Sequence, residues 1–262
     1  MRSTIARFAI TAALAAAAPA VLANPFWGGT PQTGSLRWEG SATGAYSTVS
    51  LTLQGYKTDW SVSAGAFKGY FDPLNEDSAS GFEPDDFFRF FCVDLKAYAN
   101  VGPNPYTRYD GVFDTGDSDD ATDAAQLSRL FDQHFPNPAT GVFYNGGQTN
   151  FGSFTTTQLS AAFQLAVWEI WYDTDMNLAV GNFHATDGNG VAALAQTWLT
   201  AVGTGNAYAD GWHLYTFANA SYQDYLSVTY SEPRRQVPLP GTLALFGAAA
   251  LAAGAVRRRR KA

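Results

Sequence analysis

Gln158-Leu159-Ser160-Ala161-Ala162-Phe163-Gln164-Leu165-Ala166-Val167-Trp168-Glu169-Ile170-Trp171-Tyr172 is apolar at almost every position from Ala161 to Tyr172. A helix with so little polar surface must be covered nearly all round. Thr155 and Gln158, three apart just upstream, have capping-box spacing and mark its start. Gln164 and Glu169 break the apolar run. A buried carboxamide without a partner costs about 1–3 kcal/mol, so Gln164 must find hydrogen bonds or do chemistry. Trp168 lies one turn further on the same face.

On either side of this helix the pattern changes. Ser47-Thr48-Val49-Ser50-Leu51-Thr52-Leu53 places Val49, Leu51 and Leu53 on one face of a strand. Trp60–Phe67 repeats the alternation, and Phe87–Leu95 is a more continuous apolar strand. Thr122–Phe135 and Val191–Val202 have helical spacing, the second opening after the turn Asp187-Gly188-Asn189-Gly190. Strands return at His213–Ala218 and Tyr225–Ser231. Strands, then helices, then strands predict an α+β fold: an antiparallel β-sandwich or barrel with an inserted helical subdomain.

The ends carry other information. Arg2 and Arg7, the apolar Phe8–Ala18 and the small residues before Asn24 read as a secretory signal over residues 1–23, with cleavage after Ala23. Gln236 to Pro240 is followed by the uncharged run Gly241–Val256 and then Arg257-Arg258-Arg259-Arg260-Lys261. The run spans about 24 Å as a helix, and the prolyl segment before it makes up the rest of a bilayer core. The basic cluster belongs on the cytoplasmic side of a transient transmembrane anchor. The expected organisation is therefore a signal (1–23), a mature α+β domain (24–235) and a sorting segment (236–262).

That three-part tail, with Val237, Pro238, Leu239 and Pro240 as its box and Arg257, Arg258, Arg259 and Arg260 as its cluster, resembles the PEP-CTERM sorting signal. Leu239 stands where the namesake Glu falls. The resemblance implies export by the Sec machinery, transient inner-membrane insertion and recognition by an exosortase. It further implies release to the cell surface or extracellular matrix of a biofilm-forming Gram-negative bacterium.

Charged residues are 15% of the 262-residue chain, and 46% is hydrophobic, enough to fill a core. Loss of both ends removes seven basic residues and no acids, leaving a net charge of about −14. Nucleic acid is then a poor partner. One cysteine excludes an internal disulfide framework and a multi-cysteine zinc site.

That cysteine, Cys92, lies in Phe90-Phe91-Cys92-Val93-Asp94-Leu95. A free cysteine on an apolar strand commonly acts as a small buried hydrophobe. Phe91-Cys92-Val93-Asp94 followed by Phe163-Gln164-Leu165-Ala166-Val167-Trp168 also resembles the paired motifs of Cys–Gln thioester domains, found in bacterial surface adhesins. The resemblance implies that the Cys92 thiol condenses with the Gln164 side chain, and that an amine or hydroxyl on a partner then attacks the thioester. Phe90, Phe91, Phe163, Trp168 and Trp171 would shelter that bond from water. A structural Gln164, hydrogen-bonded to the strand carrying Cys92, stays open beside it.

Other features are weaker. Asp173, Asp175 and Asn177 have the one-three-five spacing of Ca²⁺ ligands, but Leu178 and His184 stand where an EF-hand needs Gly and Glu. Asp110, Asp114, Asp117, Asp119, Asp120 and Asp123 crowd one acidic loop. His134, His184 and His213 lack metal-ligand spacing, and no Gly-x-Ser-x-Gly elbow or phosphate loop occurs. Trp27 and Trp38 are candidates for stacking on sugars. The expected function is adhesion or matrix structure without an enzymatic activity or a required cofactor. Its partner is an extracellular polysaccharide or a surface amine or hydroxyl. The rivals are a non-covalent carbohydrate-binding matrix module and a secreted hydrolase.

Overall fold

The computed structural model describes residues 31–42, 45–73, 88–100, 102–112, 120–135, 154–173, 175–205, 207, 209 and 211–230. The signal segment with Ala23, Trp27, the acidic residues 113–119 and the whole sorting segment lie outside them. No helix among the described residues is long and apolar enough to cross a membrane.

Nine strands and three helices are described. In chain order they are β1 (Gln32–Ser41), β2 (Ser47–Leu53), β3 (Lys57–Ala64), β4 (Phe67–Pro73), β5 (Phe88–Cys92) and β6 (Asn104–Asp110). Then come α1 (Asp120–His134), α2 (Thr156–Tyr172), β7 (Phe183–Thr186), α3 (Val191–Val202), β8 (Trp212–Ala218) and β9 (Tyr225–Tyr230). Six strands close an antiparallel barrel in the order β1-β4-β5-β9-β8-β6, and β3-β2-β7 form a separate three-stranded sheet. The fold is α+β, with a barrel in place of the sandwich and helices inserted between β6 and β8.

Closure follows from alternation. Leu36, Phe71, Phe90, Phe217 and Tyr225 are all buried. Among them, Phe90 meets Tyr225 at 4.8 Å and Phe71 meets Phe217 at 5.0 Å between centroids. Two chain segments can approach this closely only where a side chain is missing: a Cβ at Gly69 would fall 2.1 Å from the Arg37 carbonyl oxygen. The next residue of β5 on the opposite face, Phe91, packs against α2 at Phe163 (4.8 Å). Phe163 also meets Phe131 of α1 at 4.9 Å. One strand therefore serves both cores, which is why its sequence is continuously apolar.

The predicted strand Trp60–Phe67 is two strands. Gly65 sits at φ +148°, a conformation few side-chain-bearing residues adopt, and the chain turns there from the small sheet into the barrel. The predicted Phe87–Leu95 strand ends at Cys92. Three strands had no prediction of their own, β1 among them. β7 is only four residues long. β6 contains Pro105 and buries Arg108, whose guanidinium lies 4.9 Å over the Tyr215 ring and 3.7 Å from Asp110. Proline and a charge at an inward position both disguise a strand.

α2 starts where predicted. Gln158 N–H donates to the Thr155 hydroxyl (3.3 Å), and Thr155 N–H donates to Gln158 Oε1 (2.9 Å), completing a reciprocal cap. The helix is buried from Leu159 to Trp171 without a break. α3 is capped from outside: the Asp187 carboxylate accepts from Asn189, Val191 and Ala192 N–H.

Candidate functional site

β4 and β5 pair from Gly69–Phe88 to Phe67–Phe90, and there the ladder stops because β4 has reached its turn. Cys92, two residues on, still presents its N–H and C=O toward the vacated side, while its neighbour Val93 donates to Asp224 on the β9 side (3.0 Å). α2 fills the gap. Gln164 Oε1 accepts from Cys92 N–H (3.1 Å), and Gln164 Nε2 donates to Cys92 C=O (2.8 Å). One turn earlier the Ser160 hydroxyl accepts from Ala66 N–H (2.7 Å). A carboxamide thus continues a β-ladder from a helix, satisfying two backbone groups that would otherwise be buried unpaired. Ser160 was not anticipated. The signal for it was present: two polar residues four apart on an otherwise apolar helix share one face.

The pair is closed to bulk water. Gln164 is wholly buried and Cys92 is 2% exposed. Burial pushes the Cys92 thiol well above its ordinary range. Asp94 and Asp224 add to that, and the Trp168 side chain and the Asp94 backbone oppose it. The thiol is therefore neutral and contacts the Asp94 carbonyl oxygen at 3.6 Å. The Trp168 indole N–H makes no full hydrogen bond, yet lies close enough to the sulfur to favour its anion.

Cys92 also lines a cavity of about 500 Å³ whose wall includes Trp38, Trp60, Trp168, Tyr98 and Lys57. Trp60 comes from β3, so the small sheet forms the wall opposite the barrel. Tyr98 is 89% exposed at the mouth and Tyr56 half exposed. Tyr56 meets Trp60 edge-on at 6.0 Å, and the Lys57 ammonium lies 5.7 Å over the Trp60 ring. The loop after Cys92 is fixed by Gln223, which donates to the Asp94 carbonyl (2.8 Å), and by the Tyr172 hydroxyl, which accepts from Leu95 N–H (2.8 Å).

The remaining candidates disperse or regroup. Phe90 faces the barrel interior and Phe91 the helices, so the expected aromatic shelter is split between two faces. His134 is buried on α1 and stacks on Trp198 (5.0 Å); His184 is on β7, and His213 is exposed on β8. Asp110 ends β6 and Asp123 is buried on α1. Among the described residues, the carboxylates that converge are Glu169, Asp173 and Asp175. The Asn177 side-chain oxygen instead accepts from Ala179 N–H (3.1 Å).

The protein so defined is an exported α+β domain with a buried cysteine–glutamine seam under an aromatic groove. Its tail is that of a sorted surface protein: the PEP-CTERM protein-sorting motif matches residues 236–261. That motif marks a secreted chain destined for the cell surface through exosortase processing. No curated protein matches the chain. Among solved structures, it is similar to the N-terminal thioester domain of a Clostridium perfringens surface protein, solved as a cysteine-to-alanine mutant. Identity is 16%, the TM-score 0.37, and the match covers 70% of this chain and 99% of that one. It is also similar to the N-terminal domain of the Streptococcus pyogenes pilus tip adhesin Cpa, at 13% identity and a TM-score of 0.40, over 74% of this chain and 98% of that one.

Proposed function

We propose that this is a surface or matrix adhesin of a Gram-negative bacterium that attaches covalently, once per molecule and without turnover, through a Cys92–Gln164 thioester. The observation that carries the reading is the double hydrogen bond of the Gln164 carboxamide to the Cys92 backbone at the floor of a solvent-reaching groove. It holds the acyl carbon against the backbone of the residue that carries the one thiol of the chain. Condensation forms the Sγ–Cδ bond, breaks the Cδ–Nε2 bond and passes the thiol proton to the departing ammonia. The product is neutral, so the burial that disfavours a thiolate also suits a thioester and keeps hydrolytic water away. A partner hydroxyl or amine entering the groove would attack Cδ, forming an ester or amide and returning the thiol.

The mass of the intact protein tests this. Protein kept at neutral pH without amines should be one ammonia lighter than its sequence, and Cys92→Ala should have its full sequence mass. A full-sequence mass with an alkylatable thiol in the parent would remove the covalent reading. The same measurement places both termini and so reports cleavage after Ala23 and near Pro240.

The aromatic mouth favours a second reading, a non-covalent carbohydrate-binding module. Tyr98, Tyr56 and Trp60 offer flat faces to sugar rings. Under it, Tyr98→Ala should abolish retention on matrix polysaccharide while Cys92→Ala leaves it intact; retention lost with Cys92→Ala returns the covalent reading. Turnover on a glycan or peptide panel would instead reveal a secreted hydrolase.

A further inference from the structure

The far end of α2 runs into a loop that gathers three carboxylates. Ligand-type oxygens of Glu169, Asp173 and Asp175 all lie within 4.8 Å of one another. Glu169 and Asp173 are one helical turn apart, and Asp173 caps the helix, its N–H donating to the Glu169 carbonyl (2.8 Å). Asp175 is brought back by a left-handed turn at the buried Met176 (φ +60°). Gln196 of α3 fastens that turn by donating to the Met176 carbonyl (2.9 Å) and accepting from Leu178 N–H (2.9 Å). The loop is therefore built by contacts outside the acidic group itself.

Part of the oxygen set is already used. Glu169 Oε1 accepts from Asn177 N–H (2.6 Å), Asp175 Oδ1 accepts from the same N–H (2.9 Å), and Asp173 Oδ2 accepts from Asn182 N–H and from Phe183 N–H (3.2 Å). Glu169 Oε2 is different. It belongs to a side chain with no solvent exposure, and no donor among the described residues reaches it. The groups gathered around its carboxyl are Asp173 and Asp175, and ionised carboxylates only accept. A buried acceptor grouped with two more carboxylates needs a cation or a shared proton among them.

We propose that Glu169, Asp173 and Asp175 form a binding site for a hard divalent cation of the Ca²⁺ class. The ligands are oxygens only, without sulfur or imidazole, which suits Ca²⁺ or Mg²⁺ and disfavours softer metals. Asp175 is exposed, giving the ion an entry path and leaving room for the waters that complete six to eight ligands around Ca²⁺. The flexible coordination of Ca²⁺ fits a site with one buried and one exposed carboxylate better than the strict octahedron of Mg²⁺. A bound ion would pin the end of α2 five residues beyond Gln164 and next to Trp168. The site stands independently of the thioester.

The test uses the purified protein stripped with EGTA, then titrated with CaCl₂ or MgCl₂ by calorimetry and melted in each. One Ca²⁺ per chain is expected, with Tm raised by about 3–6 °C at tenfold excess over Kd and a weaker Mg²⁺ response. Glu169→Gln and Asp175→Asn should both lose the heat and the shift. Asp175 is exposed, so its variant should melt like the parent in EGTA and decides the matter if Glu169→Gln does not fold. Absence of heat and shift in the parent at about 10 mM CaCl₂, well above the range of weak extracellular sites, would overturn the proposal. So would an Asp175→Asn variant that responds as the parent does.

Discussion

Gln164 and Glu169 stand five residues apart on the same helix, both without solvent exposure, and their surroundings treat them oppositely. Gln164 meets a strand whose partner has just ended, and both ends of its carboxamide are bonded there. Glu169 meets two carboxylates and keeps one oxygen without a donor. The same apolar helix thus carries one polar group whose needs the fold satisfies and one whose needs it leaves to a cation or a proton. A satisfied buried amide fixes geometry. An unsatisfied buried acid makes stability depend on the solution.

The largest break should come from the satisfied side. Gln164→Leu removes the carboxamide and leaves Cys92 N–H and C=O buried without partners, a loss of about 2–4 kcal/mol in urea unfolding. Cys92→Ala, which keeps those backbone bonds, should cost clearly less. Equal losses would mean that the side-chain bonds contribute little to the seam.

A second buried titratable group sharpens the contrast from outside α2. His134 stacks on Trp198, with burial lowering its pKa to about 4, and neither ring nitrogen has a hydrogen-bond partner among the described residues. Its folded pKa lies below the unfolded value of about 6.5, so the unfolded chain takes up the proton first. Stability attributable to His134 is complete above pH 6.5 and falls as pH drops toward 4, by up to about 3 kcal/mol. Denaturant midpoints across that window should show the fall, and His134→Phe should flatten it.

The smallest effect lies at the start of α2. Thr155→Ala removes the hydroxyl that accepts from Gln158 N–H and should cost about 1 kcal/mol. Thermal melts would register it. A larger loss would show that the cap also positions Ser160 and Gln164 further along the helix.

Much of this was legible from residues alone. The burial of α2, its capping box, the inward set Val49, Leu51 and Leu53, and the C-terminal sorting motif follow from periodicity, local hydrogen bonding and charge order, all short-range properties of the chain. The pairing of Cys92 with Gln164 was suggested by the resemblance of their two motifs to Cys–Gln thioester domains; the apolar helix by itself said only that its amide must meet something polar. The parts that stayed hidden share a cause. β6 hid behind Pro105 and Arg108, β7 was too short for a period, and the Trp60–Phe67 run did not disclose the turn at Gly65. The acidic group likewise looked like a sequence-local spacing of Asp173, Asp175 and Asn177.

What the chain determined by itself was which segments are helix, which are strand, which must be buried, and how the C-terminal end is addressed. Tertiary structure decided the rest. It ended β4 just short of Cys92, so that a glutamine 72 residues away completes the ladder. It also set the small sheet against the barrel to raise an aromatic groove over the thiol, and folded Asp175 back onto Glu169 in place of Asn177. Periodicity reports the environment a residue requires, because that depends on its own chemistry and near neighbours. Which group supplies that environment depends on where the barrel closes, and closure is a property of all its strands together.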